Sequence, residues 1–262
     1  MTQPIITLTT DFGLTDHFVG AMKGVILSIA PKARIIDITH GVPAFEVREG
    51  AFVFDQAYRC FPKGAIHVVV VDPGVGSERR PILAVGGGYS FIAPDNGVLT
   101  TVLQREKCVV REITADRYFR KPVSQTFHGR DVFAPSAAHL AAGVAPAKFG
   151  KRIDNAFRLG MLEVVRTGKR AWSGSILRID KFGNIITNFP CEEFAAIRER
   201  PFEMQVGFEP VSSLQTSYSG ARFGEPFVIE GSAGFLEVAL KQADAARALG
   251  VGVGAPLELK IY

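Results

Sequence analysis

Residues 66–81 read IHVVVVDPGVGSERRP, and this stretch indicates the class of fold. Its apolar run over 66–71 is continuous rather than alternating, as in a strand buried on both faces of a parallel sheet. The run ends at Asp72, and a glycine-containing loop then leads to the paired Arg79 and Arg80. From local sequence alone this loop could be a phosphate-binding turn, a structural ion pair or a catalytic Asp–Arg device.

Strands and helices alternate before this run. Residues 5–9 and 35–38 are short apolar runs, whereas residues 18–29 and 47–61 place apolar side chains at helical spacing. The order strand, helix, strand, helix, strand predicts an α/β domain with a mostly parallel sheet and flanking helices.

The pattern changes after about residue 160. Short apolar runs such as FVIEG and LELKIY are separated there by glycine, proline and polar residues. Several short strands with few helices predict a small β-barrel. We therefore predict an α/β domain over 1–160, a linker over 161–169 and a β-barrel domain over 170–262.

Composition excludes several classes of protein. Of the 262 residues, 47% are hydrophobic and 21% charged, which is typical of a folded chain rather than a disordered one. Lys and Arg number 30 against 26 Asp and Glu. This surplus of +4 is small and scattered, whereas nucleic-acid binding surfaces cluster their basic residues, so no nucleic-acid partner is predicted.

The cysteines and the apolar runs bear on the cellular compartment. Cys60, Cys108 and Cys191 form neither a disulfide framework nor a zinc-binding spacing. The first residues show no basic segment followed by an apolar one, and no uncharged run reaches the ~20 residues of a membrane helix. We therefore predict a cytoplasmic protein without membrane association.

Polar clusters follow the predicted strands of the first half. TTDFGLTDH (9–17) carries Asp11 and Asp16, and TFHGRDVFAP (126–135) carries His128 just before a helical segment. In open α/β sheets, ligands bind outside the carboxyl ends of the strands, so these clusters are candidate site residues together with Asp72.

Each cluster has a simpler alternative. Asp72 and Arg79 could form a purely structural ion pair, and His128 could be a buried core histidine. GVGS is not followed by the G-K-[ST] of a phosphate-binding loop. No metal is predicted, because metal-ligand spacing is missing from the candidate residues Asp11, Asp16, His17 and His40.

In the second half, RIDKFGNIITNF (178–189) is the densest polar cluster. Phe182 could stack on a flat ring, and Asn184 could pair with the edge of an adenine. A hairpin turn with an ordinary apolar Phe explains the local sequence equally well. GSAGFLEVA (231–239) similarly offers Ser232 in a glycine-rich loop.

Taken together, these motifs resemble the S-adenosyl-L-methionine hydrolase (adenosine-forming) family, which is related to the fluorinase and chlorinase enzymes. The matching segments occur in family order from residue 6 to about 240: TTDFGLTD, VVDPGVGSERR, IAPDNGVLT, TFHGRDVFAP with SAAHLAAG, IDKFGNIITN and GSAGFLEVA. The resemblance implies an N-terminal α/β domain and a C-terminal β-barrel. It also implies homotrimers, with each site between the N-terminal domain of one subunit and the C-terminal domain of its neighbour.

The implied reaction is the attack of water on the ribose C5′ of S-adenosylmethionine, which releases adenosine and L-methionine without a further cofactor. The resemblance implies that three residues hold and activate this water: Asp72, Arg79 and His128. The family register makes Arg79 the partner of Asp72 and leaves Arg80 facing solvent.

The resemblance also implies roles in substrate binding. Asp11 matches the carboxylate that grips both ribose hydroxyls, and Tyr218 matches an aromatic contact at the subunit boundary. The positions around the methionine moiety are Asp16, Asp180 and Ser232. The nucleoside-binding positions are Phe45, Phe182 and Asn184.

Two alternative functions remain for such a chain. A halogenase would give 5′-halo-5′-deoxyadenosine, but those relatives replace the Asp–Arg–His set, and an anionic carboxylate repels a halide. A nucleoside-binding or sensing protein would show little turnover. Two positions depart from the family pattern, Ala233 where the fluorinase has an arginine and Lys241 where an asparagine is more usual.

Overall fold

The computed structural model describes residues 3–160 and 163–262. The chain divides into two compact units with the bounds Met1–Leu159 and Gly160–Tyr262. Residues 161 and 162 of the predicted linker lie outside the described residues. Another part of that linker, Val165–Arg166, is a short strand that pairs within the second unit.

The first unit contains one seven-stranded sheet. Its strands are β1 (Ile5–Thr10), β2 (Arg34–Thr39), β3 (Ile66–Val70), β4 (Pro81–Gly86), β5 (Tyr89–Pro94), β6 (Val109–Glu112) and β7 (Arg152–Ile153). Its helices are α1 (Phe18–Ile29), α2 (Val47–Ala57), α3 (Thr100–Arg105) and α4 (Ala134–Ala141). Among the described residues, no helix of either unit is long and apolar enough to cross a membrane.

The sheet is mixed rather than mostly parallel. In the order β2-β1-β3-β5-β4-β6-β7, the first four strands pair in parallel and the remaining pairings are antiparallel. The change occurs at the β4–β5 hairpin, where Gly87 and Gly88 have φ of 59° and 86°. Two consecutive residues with positive φ form the tight turn that reverses a strand. The α/β class is therefore correct for this unit, and the parallel pairing is limited to one side of the sheet.

Strand β3 is buried on both faces, as its continuous apolar run predicts. Val68 and Val70 belong to a core cluster that includes Met22 of α1, whereas Val69 and Val71 belong to a second cluster that includes Phe54 of α2. Alternate residues of a strand point to opposite faces, so helices on both sides enclose this strand. The end of β3 is thereby fixed, and Asp72 lies two residues beyond it.

The second unit is a nine-stranded sheet with one large and one small apolar core cluster. Its strands are β8 (Val165–Arg166), β9 (Ala171–Ile179), β10 (Ile185–Pro190), β11 (Phe202–Val206), β12 (Glu209–Val211), β13 (Leu214–Gln215), β14 (Phe227–Glu230), β15 (Phe235–Ala239) and β16 (Pro256–Ile261). The one α-helix among its described residues is α5 (Ala245–Leu249), and two short 3-10 helices lie at Ala195–Arg198 and Tyr218–Gly220. The path β12-β11-β16-β9-β10-β15-β14-β13 ends at β12 and β13, and no pairing among the described residues joins these two strands. The described strands of the predicted barrel thus form one sheet whose two end strands do not pair.

Candidate active site

The loop after β3 folds back on itself and returns Arg79 to Asp72. The amide of Val75 donates to the Asp72 carbonyl at 3.2 Å, which closes the first turn. Gly76 has a φ of 79°, and a Cβ there would overlap the carbonyl oxygen of Gln125. Only glycine provides both this conformation and this close approach, so Gly76 sets the loop against the segment that precedes His128.

Asp72, Arg79 and His128 form one hydrogen-bonded set. Arg79 Nε donates to Asp72 Oδ1 at 2.9 Å, and Arg79 Nη2 donates both to Asp72 Oδ2 and, at 2.8 Å, to His128 Nδ1. The side chains of Arg79 and Asp72 are only 9% and 4% exposed. Such a two-point pair fixes the orientation of both groups.

The pairing determines the protonation of His128. A guanidinium only donates hydrogen bonds, so Nδ1 of His128 must accept, and the proton of the neutral ring is then on Nε2. Burial lowers the pKa of His128, and the positive charge of Arg79 lowers it further. His128 is therefore a neutral ring at neutral pH, with Nε2–H as its available donor.

Arg79 retains unused donor capacity. Its Nη1 is buried and has no hydrogen-bond partner among the described residues. Unpaired buried donors are costly, so the two hydrogens on Nη1 indicate a partner that binds beside this set.

Asp131 holds the segment that carries His128. This carboxylate is fully buried and accepts from Arg130 Nε and Nη2 at 2.7 and 2.8 Å, from Arg120 Nη1 at 3.2 Å and from the Ser124 amide at 2.9 Å. Burial alone would raise the pKa of Asp131, but the hydrogen bonds from Arg130 and Ser124 hold it below its usual value. Although the sequence places Asp131 in a polar cluster, it gives no sign that three separate groups converge on it.

Asp11 and Phe45 are joined directly. The Phe45 amide donates to Asp11 Oδ2 at 2.9 Å, and Phe45 itself has a φ of 71° with its ring 70% exposed. A bulky residue with positive φ is a strained conformation, which occurs mainly where a binding site requires it. Burial raises the pKa of Asp11, and the negative charge of Asp72 raises it further, so the two carboxylates lie within electrostatic reach of each other.

The remaining candidates of the first unit are arranged differently. Asp16 is exposed in the loop before α1. His40 bonds to Thr10 at 2.8 Å. Among the described residues no group of three or more His, Cys, Asp or Glu side chains is placed to hold a metal ion.

Arg80 faces solvent only in part, because an ion pair also holds its side chain. Its side chain is 27% exposed, and Nε and Nη2 donate to Asp95 Oδ2 at 2.9 and 2.5 Å. Nη1 and Nη2 also donate to Asn155, 75 residues along the chain. Arg80 thus connects the end of the loop to the last segment of the first unit, through a contact that local sequence cannot reveal.

In the second unit, Asp180 organises the turn between β9 and β10. Its carboxylate accepts from the amides of Phe182 and Asn184 at 2.8 and 2.9 Å, and from Asn184 Nδ2 at 2.9 Å. Gly183 completes the turn with a φ of 83°. A hairpin turn held by Asp180 is therefore present, and it leaves Phe182 66% exposed.

A cavity of about 610 Å³ in the second unit brings several candidates together. Its lining includes Asp180, Phe182, Asn184 and Tyr218. Ser232 is exposed in the turn between β14 and β15 and is not part of this lining.

Glu237 supports this cavity, and the sequence analysis missed it. Tyr218 donates through its hydroxyl to Glu237 Oε2 at 3.3 Å. Burial raises the pKa of Glu237 and that of Tyr218, the latter to about 12. An acidic residue inside the apolar strand FLEVA is the signal that could have identified Glu237.

Lys241, one of the two departures from the family pattern, also acts on the Tyr218 segment. Its Nζ donates to the carbonyls of Ser219 and Ala221 at 2.8 and 3.0 Å and lies 4.8 Å from the centre of the Phe223 ring. Lys241 therefore holds the segment that follows Tyr218.

Comparisons with known proteins agree with the resemblance. The chain is 37% identical to the (R)-S-adenosyl-L-methionine hydrolase of Salinispora arenicola (strain CNS-205), over 98% of this chain and 97% of that protein. It is 30% identical to a fluorinase of Nocardia brasiliensis (strain ATCC 700358 / HUJEG-1), over 71% of each. The crystal structure of an uncharacterized conserved protein from Thermotoga maritima superimposes with a TM-score of 0.90 at 38% identity, covering 97% of this chain and 99% of that one.

Models of protein families match both halves of the chain. The SAM hydroxide adenosyltransferase N-terminal domain matches residues 6–150, and the C-terminal domain of the same family matches residues 174–258. The first match alone covers more than half of the sequence, and it contains the hydrogen-bonded set of Asp72, Arg79 and His128. This chain belongs to the SAM hydroxide adenosyltransferase family.

Proposed function

We propose that this protein hydrolyses S-adenosyl-L-methionine, with water attacking the ribose C5′ to give adenosine and L-methionine. The observation that carries this proposal is the buried set of Asp72, Arg79 and His128. The relatives named (R)-S-adenosyl-L-methionine hydrolase, 37% identical over nearly the full chain in one case, support the same reaction.

The reaction needs positioning more than it needs a strong nucleophile. A sulfonium is a good leaving group, so a water molecule held in line with the C5′–S bond gains most from being oriented, an effect worth several kcal/mol. Two groups of the set are suitable donors for this purpose, the buried Nη1 of Arg79 and the Nε2–H of His128. Because a water oxygen has two lone pairs, one of these donors would hold it while the other lone pair attacks C5′, and the proton released on attack would pass to solvent.

Charge favours water over a halide. Asp72 and Asp11 lie within electrostatic reach of each other in the first unit. Arg79 neutralises Asp72, so the negative charge beside the set is that of Asp11, which would repel an anion in a poorly screened site. This argument supports hydrolysis over the halogenation that the 30% identical fluorinase represents.

We propose substrate contacts at the eight positions implied by the resemblance. Asp11 would bind the ribose hydroxyls, for which a carboxylate with two acceptor oxygens is suited. The cavity that contains Phe182, Asn184 and Tyr218 would take the nucleoside, since it combines exposed rings with a side-chain amide. Asp180 would act there mainly through the turn that it holds.

We also propose that the protein works in the cytoplasm as a homotrimer and without a further cofactor. In this arrangement the catalytic residues of one subunit and the nucleoside-binding residues of its neighbour would complete each site. Sedimentation equilibrium should then give three times the mass of one chain, and the mass of a monomer would contradict the arrangement.

The reaction is tested in water enriched in ¹⁸O. The protein is incubated with S-adenosylmethionine, with and without chloride, and the products are resolved by mass spectrometry. We expect ¹⁸O in the 5′-hydroxyl of adenosine, unlabelled methionine, and no effect of chloride on product identity. Appearance of 5′-chloro-5′-deoxyadenosine in place of adenosine would contradict the proposal, as would tightly bound adenosine without methionine release.

The pH dependence of kcat/KM tests the state of His128. Burial and Arg79 lower its pKa below 6.5, and protonation of Nδ1 would set two donors against each other. We therefore expect activity to be level above pH 6.5 and to decline only as the pH falls through this lowered pKa. His128→Asn keeps an acceptor near the Nδ1 position but cannot titrate. In that variant, the decline assigned to His128 should disappear from the acid side of the profile, and an unchanged profile would contradict the assignment.

A further inference from the structure

Two buried Thr–His pairs begin on strand β1. Thr7 Oγ1 lies 2.7 Å from His67 Nδ1, and Thr10 Oγ1 lies 2.8 Å from His40 Nδ1. All four residues are at most 5% exposed. The pairs have the same chemistry, but only the second stands next to Asp11.

His40 holds the chain on the far side of Asp11. Thr10 Oγ1 accepts from the amide of Phe12 at 3.2 Å, and the carbonyl of His40 accepts from the amide of Gly13 at 2.8 Å. The side chain and the backbone of His40 are therefore both tied to the turn in which Asp11 lies.

The contact between His40 and Asp37 indicates which atoms of this network donate and which accept. Nε2 of His40 lies 3.2 Å from Asp37 Oδ1, and Asp37 Oδ2 accepts from Lys23 Nζ at 2.6 Å. A carboxylate only accepts, so Asp37 favours a proton on Nε2 of His40 and leaves Nδ1 to accept from the Thr10 hydroxyl. That hydroxyl oxygen then accepts from Phe12, so donation runs from Phe12 through Thr10 to His40, whereas the contact of Nε2 with Asp37 is an ion-pair distance and not a hydrogen bond.

The same histidine begins the loop that contains Phe45. Phe45 lies five residues after His40, has the positive φ already described, and donates through its amide to Asp11 Oδ2. His40 thus connects the two segments whose meeting point is the Asp11–Phe45 hydrogen bond.

We propose that His40 is a positioning residue that, through the Thr10 hydroxyl, orients the Asp11 carboxylate toward the vicinal diol of a nucleoside. The diol as ligand rests on the proposed function, whereas the orientation of Asp11 does not. The network ties the backbone next to Asp11, and the Phe45 amide holds Asp11 Oδ2, so the carboxylate is held in place before a ligand binds.

The chain offers a matched control for the test. Thr10→Val removes the hydroxyl next to Asp11, and Thr7→Val removes the same group from the other buried pair on the same strand. In His40→Gln, the side-chain amide lies near the position of Nε2, and the hydrogen bond to Thr10 is lost. In His40→Asn, the amide oxygen lies near the position of Nδ1, and the hydrogen bond to Thr10 is retained. His40→Gln is thus the second test variant, and His40→Asn is the conservative rescue.

Two measurements are made on each variant. Calorimetric titration gives Kd for adenosine and for 2′-deoxyadenosine, and hydrogen exchange of the ligand-free protein gives the protection of the Phe12 and Phe45 amides. We expect Thr10→Val and His40→Gln to raise Kd for adenosine about five- to tenfold, the loss of one buried hydrogen bond. Kd for 2′-deoxyadenosine should change less, because this ligand presents only one of the two hydroxyls. Both amides should lose protection.

The controls decide between positioning and general destabilisation. Thr7→Val should lower the melting temperature but leave both Kd values and the two amides as in the unaltered protein, and His40→Asn should stay within about twofold of it. Equal effects of Thr7→Val and Thr10→Val would overturn the proposal. If the unaltered protein neither binds adenosine nor hydrolyses S-adenosylmethionine, the proposed function fails. In that case the exchange of Phe12 and Phe45 still decides whether His40 positions Asp11: unchanged protection in Thr10→Val and His40→Gln overturns it.

Discussion

Arg79→Ala is expected to lower kcat for S-adenosylmethionine hydrolysis at least about 100-fold, because two members of the catalytic set lose their common partner. Arg79 donates to both oxygens of Asp72 and to Nδ1 of His128. Without it, a carboxylate that is 4% exposed has no counter-charge, and the ring of His128 is free to rotate. Single-turnover assays with saturating substrate would separate this loss of kcat from a loss of binding.

Arg80→Ala is the matched control, since it removes the same side chain from the adjacent position. Within the described part of the chain, Arg80 pairs with Asp95 and Asn155 and forms no hydrogen bond or ion pair with the catalytic set. We expect it to lower the free energy of unfolding by about 1–3 kcal/mol while leaving kcat of the folded protein within about threefold. Equal losses of kcat in the two variants would contradict the division of roles.

Arg79→Lys refines the same argument. A lysine supplies the charge but only a single ammonium point, so it cannot make the two-point contact with Asp72 and also reach His128. We expect it to recover stability relative to Arg79→Ala without recovering kcat. Full activity in this variant would mean that charge alone, and not geometry, is the contribution of Arg79.

The fold was predictable where a signal is local and periodic. The continuous run before Asp72 identifies β3, because only a strand covered on both faces needs apolar residues at every position. The antiparallel half of the sheet depends instead on a two-residue turn at Gly87 and Gly88. The two glycines are visible in the sequence, but the alternation of strands and helices before them led to the prediction of a mostly parallel sheet.

The site was predictable where its residues are close in sequence or share a motif. Asp72 and Arg79 are seven residues apart, and the glycines between them indicate a turn that brings them together. The supporting contacts span longer distances: His40 meets Thr10 across 30 residues and Arg80 meets Asn155 across 75. Such pairs depend on the register of the sheet and the path of loops, which no local pattern encodes.

Asp131→Ala is expected to impair both stability and catalysis, since this carboxylate anchors the segment next to His128. It is fully buried and accepts four hydrogen bonds, from Arg130, Arg120 and the Ser124 amide. Removing one partner of a buried ion pair costs about 3–5 kcal/mol. We expect the lower end, because the side chains of Arg130 and Arg120 are 26% and 45% exposed and can turn toward water. Urea denaturation would measure this loss.

The pH profile of kcat/KM shows whether Asp131 acts on His128 through its position or through its charge. The negative charge of Asp131 is one of the influences that raise the pKa of His128, against the stronger effects of burial and Arg79. Removing that charge in Asp131→Asn should therefore move the acid decline of kcat/KM to still lower pH, while kcat falls about tenfold through the displaced ring. Asp116→Ala is the control, because Asp116 pairs with Lys121 nearby but is 72% exposed. If Asp131→Asn lowers kcat without moving the acid decline, Asp131 acts on His128 through position alone. If the acid decline moves while kcat is unchanged, Asp131 acts on His128 through its charge more than through its anchoring.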